Sequence, residues 1–331
     1  MKLSIGIVGL PNVGKSTLFK ALTKNEVHIA NYPFATIDPN VGIVPVPDER
    51  LEKLAALSHS KKIIPAVIEF YDIAGLVKGA NTGEGLGNQF LAHIRETQAI
   101  VIVLRTFQNP EIIHVEQTVN PIRDLEIINT ELALKDLDTV NKRLNSLESK
   151  VKRGEKSALK NLEILKSVKT ELEKGNLIHQ FSGEEIIKEL QLLTSKKQIY
   201  FLNGTKEDLK DEILAKIKNL AGDYVVGDLS GNIDAGELIK KSYQILDLIS
   251  FLTTGEDETR AWTIKKGAKA PEAAGVIHTD FENKFIRAEV INWQKLLEAN
   301  DWNKAKQKGW IRLEGKEYIV VDGDVLVIRH G

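Results

Sequence analysis

The sequence predicts an α/β fold with a parallel sheet, interrupted by an α-helical coiled-coil hairpin and followed by a small α+β domain. Three observations carry this. The apolar, β-branched run Leu3-Ser4-Ile5-Gly6-Ile7-Val8 leads straight into the glycine-bounded stretch Gly9 to Thr17 and then a helical segment from Thr17 to Leu22. From Leu125 the apolar residues change to helical spacing, and past Ser250 strand-like segments return together with all four tryptophans.

The first element is the most specific. Gly9-Leu10-Pro11-Asn12-Val13-Gly14-Lys15-Ser16-Thr17 fits G-x-x-x-x-G-K-[ST], the P-loop, and it follows a strand and opens a helix as that motif demands. Glycines at both ends let the backbone curl so that successive N–H groups, at Val13 and Gly14 among others, face inward on an anion; the helix adds its positive end. Lys15 would reach the β- and γ-phosphates, the Ser16 hydroxyl would ligate Mg²⁺, and Thr17 would donate near the α-phosphate.

Composition bounds the rest. With 331 residues the chain is long enough for two or three domains, each with its own core. Its 45 basic and 46 acidic side chains leave a net charge of -1, so no global field draws it to DNA or a membrane. The absence of cysteine excludes disulfide and thiol chemistry, the seven scattered histidines show no structural-zinc spacing, and no apolar run reaches membrane-spanning length. The reading is a soluble cytoplasmic protein, with neither DNA nor membrane as partner.

Taken in order, Asn31 to Asn40 contains two prolines and reads as an ordered loop. It sits where a switch segment belongs, and Thr36 is placed to complete the Mg²⁺ shell. Ile63 to Tyr71 reads as a second strand ending in Asp72-Ile73-Ala74-Gly75, a D-x-x-G in which Asp72 holds Mg²⁺ through water and the Gly75 N–H meets the γ-phosphate. Leu76 follows, where many GTPases place a water-orienting Gln. It can neither donate nor accept a hydrogen bond, so hydrolysis must be arranged differently. Gly79 to Asn88, dense in glycine, reads as the second switch, and Ala99 to Leu104 as a third, buried strand.

A boundary is expected near residue 114. Leu137, Val140, Leu144, Leu147 and Val151 keep the three-four alternation of a coiled-coil seam until Gly154, and Leu159, Leu162, Leu165, Val168 and Leu172 repeat it until Gly175. Gln198 to Asn203 returns to strand. Here N-K-x-D would read guanine; the chain has Asn203-Gly204-Thr205-Lys206, with Glu207 and Asp208 one and two places late. Without that acid nothing selects guanine and an ammonium opposes its donors, so adenine is the better expectation. The strand Asp223 to Gly227 leads to a base-side loop at Asp228-Leu229-Ser230-Gly231, and a helix runs around Leu238 to Leu246. In the last domain Ala261 to Ile264, Phe285 to Val290, Glu317 to Val321 and Val325 to Ile328 read as strands of a small curved sheet. Basic residues there (Arg260, Lys265, Lys266, Lys269, Lys284, Arg287) lie near aromatics, a pattern compatible with RNA.

With these residues in view the chain resembles, over nearly its whole length, the YchF or Obg-like ATPase family of translation-associated P-loop proteins. The carriers are Gly9 to Thr17, Asn31 to Asn40, Asp72 to Ala80, Gly83 to Phe90, Ile112-Ile113-His114-Val115, Arg260 to Val290 and Gly315 to Asp324. The resemblance implies a G domain (1–114 and 185–247) split by a coiled-coil insertion (115–184), then a β-grasp-like TGS domain (248–331). It also implies hydrolysis of ATP in preference to or alongside GTP, and association with the ribosome or its RNA. An apolar residue at Leu76 is expected in this family, His114 becomes the candidate for positioning the water, Asn12 matches a residue that holds K⁺ in related hydrolases, and Phe107 would stack on the purine. Lys206 departs from the family's N-x-x-E, and the stretch from Asn203 to Leu238 is short, leaving Gly204 and Ser230 in a rebuilt base site. Two other readings stand beside this one: a nucleotide-gated ribosome- or RNA-binding switch with incidental turnover, and a plain GTPase.

Overall fold

The computed structural model describes residues 3–24, 40–73, 94–155, 157–220, 222–231 and 233–331. From the amino end these form β1 (Ser4–Val8), α1 (Lys15–Thr23), β2 (Val41–Pro45), α2 (Glu49–Ser58), β3 (Lys62–Ile64), β4 (Val67–Asp72) and β5 (Ala99–Arg105). Next come α3 (Pro121–Lys152), α4 (Ser157–Glu173), α5 (Glu185–Leu190), β6 (Lys197–Asn203), α6 (Asp211–Asn219), β7 (Asp223–Gly227) and α7 (Gly236–Ile245). The chain ends with β8 (Leu248–Thr254), β9 (Glu258–Lys265), α8 (Ala270–Ile277), α9 (Thr279–Asn283), β10 (Phe285–Asn292), α10 (Trp293–Ala299), α11 (Trp302–Gln307), β11 (Arg312–Glu314) and β12 (Asp324–His330). Among the described residues no helix is long and apolar enough to cross a membrane.

Two compact units result. Of the described residues, 3–24, 40–42, 69–73 and 94–238 fall in the first, and 43–68 with 239–331 in the second. The first is built on a sheet of order β2-β4-β1-β5-β6-β7, in which β1 pairs in parallel with β4 and β5, β5 with β6, and β6 with β7. Every position of β1 and β5 is buried, as continuous β-branched runs require at the centre of a parallel sheet. The parallel pairing puts the carboxyl ends of these strands along one edge, where ligands of such sheets bind.

The hairpin starts at a capped turn. The Asn120 side chain accepts from the Arg123 N–H at 3.1 Å, Pro121 occupies the first turn of α3, and the helix gives way at Gly154 with φ 87°. Val140, Leu144 and Leu147 of α3 pack with Leu162, Leu165, Val168 and Leu172 of α4, with Ile186 and Ile187 of α5 in the same core. Leu159, expected in the seam, is 48% exposed, and Ala158 is buried instead. The start of α4 is therefore one residue out of phase with the leucine pattern. At the hairpin's root the fully buried Asp136 accepts from Leu193 N (3.0 Å), Thr194 N (2.8 Å) and Thr194 Oγ1 (2.7 Å).

The second unit holds a mixed sheet of order β11-β10-β12-β8-β9-β3, covered by α8 through Ala270, Ala273 and Ala274 against Phe251, Phe285 and Leu326. Its α+β make-up agrees with the expectation. Three differences follow from long-range pairing. The single strand expected from Ile63 to Tyr71 is two, broken at Pro65-Ala66: β3 pairs with β9 in the second unit, and β4 pairs with β1 in the first. Residues 43–68, expected within the amino-terminal domain, accordingly belong with 239–331; Arg50 bridges Asp48 and Asp322 at 2.7 Å each, and Ser60 meets Thr259 at 2.8 Å. Glu317 to Val321 forms no strand, only an isolated bridge from Ile319 to Lys269, while β8 and β11 were not foreseen.

Asp136→Ala should lower unfolding stability by about 2–4 kcal/mol, since it strands two buried backbone N–H groups. Urea denaturation of the two proteins measures this.

Candidate functional site

The site forms where β1, β4, β5, β6 and β7 end. Asn12 lies in the left-handed region at φ 61° and Gly14 at φ 107°, the curl that the glycine spacing requires. A Cβ on Gly14 would stand 2.6 Å from Asn203 Nδ2, and one on Gly9 would stand 2.8 Å from the Val103 carbonyl oxygen. Neither position admits another side chain without displacement. The loop closes into α1 through Leu18 N–H to the Gly14 carbonyl at 2.9 Å.

Lys15 lies within the loop, only 8% exposed, and donates Nζ to the Leu10 carbonyl at 2.7 Å. Burial pulls its ammonium down to about 8, and the charge of Asp72 partly offsets that. Ser16 and Thr17 are exposed on the first turn of α1. Asp72 closes β4, paired in register with Ile7. Thr36, Gly75 and Leu76 lie outside the described residues, as do both candidate switch segments apart from Asn40.

Asn203, expected at the base, ties the loops together. Buried to 4% exposure, its amide donates Nδ2 to the Val13 carbonyl at 2.8 Å and accepts at Oδ1 from Leu229 N at 3.2 Å. Its own carbonyl accepts from Thr106 N and Oγ1, both at 3.0 Å. Gly204 donates to the Gly227 carbonyl at 3.1 Å, and a Cβ there would strike Thr106 Oγ1. The Ser230 hydroxyl and backbone N–H both turn back to Asp228 Oδ1, at 2.6 and 2.8 Å. Lys206 and Glu207 are exposed, and Asp208 Oδ2 accepts from Thr205 N at 2.8 Å and Thr205 Oγ1 at 2.9 Å. That acid holds its own turn.

Sequence reasoning missed Arg105. It is 1% exposed and donates to three backbone carbonyls of the following loop: Phe107 (3.1 Å), Asn109 (3.1 Å) and Ile112 (2.9 Å). Its guanidinium also lies 4.6 Å from the Phe107 ring centroid. The available signal was a cation closing an otherwise wholly apolar strand, a placement rare unless the group is bonded. The same loop meets the P-loop where Asn12 Nδ2 donates to the Ile113 carbonyl at 3.1 Å. His114 is buried, with Nε2 2.9 Å from Asp124 Oδ2.

The donors available to a cation near Lys15 are oxygens, the Ser16 hydroxyl and the Asp72 carboxylate, which suit a hard ion such as Mg²⁺. No cluster of three or more His, Cys, Asp or Glu stands among the described residues. A phosphate-bound Mg²⁺ site does not need one.

Arg105→Ala should weaken binding of a non-hydrolysable ATP analogue by roughly tenfold, because three carbonyls lose their donor and Phe107 its support. Calorimetric titration of both proteins checks this.

A family model described as a 50S ribosome-binding GTPase matches residues 4–142, and a model of the YchF-type GTPase carboxyl-terminal region, described as a protein of unknown function, matches residues 248–331. The ribosome-binding ATPase YchF of Bacillus subtilis (strain 168) is 47% identical over 363 residues, covering 99% of each chain. The protein of that name from Mycoplasma genitalium is 45% identical over 358 residues, covering 98% of each. The structure of the Schizosaccharomyces pombe YchF GTPase superposes with a TM-score of 0.84 at 40% identity, covering 99% of this chain and 98% of that one.

Proposed function

This chain belongs to the YchF family, and we propose that it is an Mg²⁺-dependent nucleoside triphosphatase that prefers ATP and acts in the cytoplasm in association with ribosomes. The observation that carries the reading is Lys15: an ammonium desolvated in the P-loop, bonded to the Leu10 carbonyl and offset in part by the charge of Asp72, is arranged for an anion. The relatives named ribosome-binding ATPases supply the partner and the base.

In this reading Val13, Gly14, Lys15, Ser16 and Thr17 cradle the phosphates, Lys15 leaving the Leu10 carbonyl for the β- and γ-oxygens. Mg²⁺, held by Ser16, Asp72 and Thr36, would neutralise charge between those phosphates. The Gly75 N–H would meet the γ-phosphate, and with Leu76 apolar the water would be oriented by His114. Asn12 would offer its Oδ1 to K⁺, Nδ2 being engaged at Ile113. Phe107, backed by Arg105 on one face, would stack the purine on the other. Asn203, Gly204 and Ser230 would border the base.

The preference for adenine rests on the turn at 204–208. Lys206 stands where an acid would be needed to pair with guanine, and Asp208 is committed to Thr205. The domain division follows the hairpin: 115–184 as the insertion, flanked by the nucleotide-binding parts and followed by 248–331 as a TGS domain.

A second reading, a nucleotide-gated ribosome-binding switch with incidental turnover, draws on His114 being turned inward to Asp124. Ribosomes should raise turnover at least several-fold if hydrolysis is the function; unchanged turnover with nucleotide-dependent, salt-sensitive binding favours the switch. Calorimetric titration with non-hydrolysable ATP and GTP analogues, in Mg²⁺ buffer with K⁺ or Na⁺, should show tighter ATP binding, and Lys15→Ala should abolish turnover. Tighter GTP binding would contradict the base assignment.

A further inference from the structure

Two loops border the expected base, the turn from Gly204 to Asp208 after β6 and the loop from Asp228 to Gly231 after β7. Each closes on an aspartate in the same way. Asp208 Oδ2 accepts from both the N–H (2.8 Å) and the hydroxyl (2.9 Å) of Thr205. Asp228 Oδ1 accepts from both the N–H (2.8 Å) and the hydroxyl (2.6 Å) of Ser230. The bonds from Ser230 hold the Asp228 carboxyl below the usual carboxylate range, so it is charged at neutral pH and keeps those donors.

The neighbouring N–H groups are spent as well. Gly204 donates to the Gly227 carbonyl at 3.1 Å, Leu229 to Asn203 Oδ1 at 3.2 Å and Gly231 to the Asp228 carbonyl at 3.3 Å. The hydroxyls of Thr205 and Ser230, having donated, can only accept from a ligand. Purines differ on this point. Along the N7 and C6 edge adenine presents an acceptor and the N6 amino donor, whereas guanine presents two acceptors, N7 and O6. A rim whose donors are used up pairs with the amino group and leaves O6 unmet, and an unmet polar group is what makes such rejection strong. Nor can either aspartate grip the N1 and N2 donors of guanine with both oxygens, since one oxygen of each already carries two bonds. Lys206 is a donor on the same turn, but it is exposed, and a hydrated ammonium on a flexible stem gains little from a single carbonyl.

We propose that Asp208 and Asp228 are specificity-determining residues of the base site: each withdraws the donors of its own loop, so that the rim takes a 6-amino purine and rejects a 6-oxo purine. This rests on the reading of an adenine-preferring site bordered by Asn203, Gly204 and Ser230. It goes further in assigning the choice to the 6-position and to two carboxylates that need not touch the base.

The test titrates the unsubstituted protein and its Asp208→Ala and Asp228→Ala variants calorimetrically with the β,γ-imido triphosphates of adenosine, 2,6-diaminopurine riboside, inosine and guanosine, and with inorganic tripolyphosphate. On the unsubstituted protein the two 6-amino forms should bind within about threefold of each other, and the two 6-oxo forms roughly tenfold or more weaker. In each variant the freed hydroxyl and N–H should cut the 6-oxo penalty by about fivefold, with tripolyphosphate affinity changed less than about twofold. A 2,6-diaminopurine form bound as weakly as the guanosine form overturns the proposal without any variant, because the 2-amino group would then be what is excluded. A 6-oxo penalty unchanged in both variants overturns it too, and one unchanged in a single variant removes that aspartate. Failure of the underlying reading looks different: the guanosine form then binds the unsubstituted protein at least as tightly as the adenosine form.

Discussion

The buried amide of Asn203 is the interaction on which the rest of the site depends. One side chain joins the P-loop at Val13 to the loop after β7 at Leu229, while its own carbonyl takes two donors from Thr106 after β5. Three strand ends are thereby set relative to one another by a group with two donors and an acceptor in one plane. Gly14 has to be glycine for the same reason, since a Cβ would meet that amide before any ligand arrived. An apolar residue of similar size would fill the space yet leave Val13 and Leu229 without partners, a cost that packing does not offset.

Arg105 does for the next loop what Asn203 does for the first. A guanidinium offers five donors in a fixed fork, and here it spends them on backbone carbonyls, with no carboxylate among its described partners. The loop it shapes carries Phe107 against the Arg105 guanidinium, Ile113 onto Asn12 and His114 onto α3. P-loop and hairpin helix are thus connected through the backbone that Arg105 holds. The same economy appears at Asp136, where one carboxylate satisfies the backbone that returns from the hairpin to β6.

What could be read from the sequence was what is local. The strand, loop and helix around Gly9 to Thr17 are specified by contiguous residues, and so are the two hairpin helices with their stops at Gly154 and Gly175. The unread parts are those decided by residues far apart. Nothing in Ile63 to Tyr71 but Pro65 marks the point where the chain leaves one sheet for the other, because both halves are equally apolar and β-branched. Glu317 to Val321 has strand composition but meets no continuous partner. Leu159 fits the heptad and is exposed because α4 starts in a different phase. In the site, the residue types at 12–17 declared themselves through spacing, whereas Arg105 acts through bonds to carbonyls that no motif connects to it. Asn203 was legible as a site residue, but its task of holding loops depends on Val13, far away in sequence.

The most direct measurement is the affinity of Asn203→Ala for a fluorescent, non-hydrolysable ATP analogue, with far-UV circular dichroism to show that the fold is retained. If the Asn203 amide holds the phosphate loop in its binding shape, affinity falls by roughly tenfold or more while the spectrum is unchanged. An unchanged affinity would contradict the account, because it would mean the P-loop keeps its shape without the clasp.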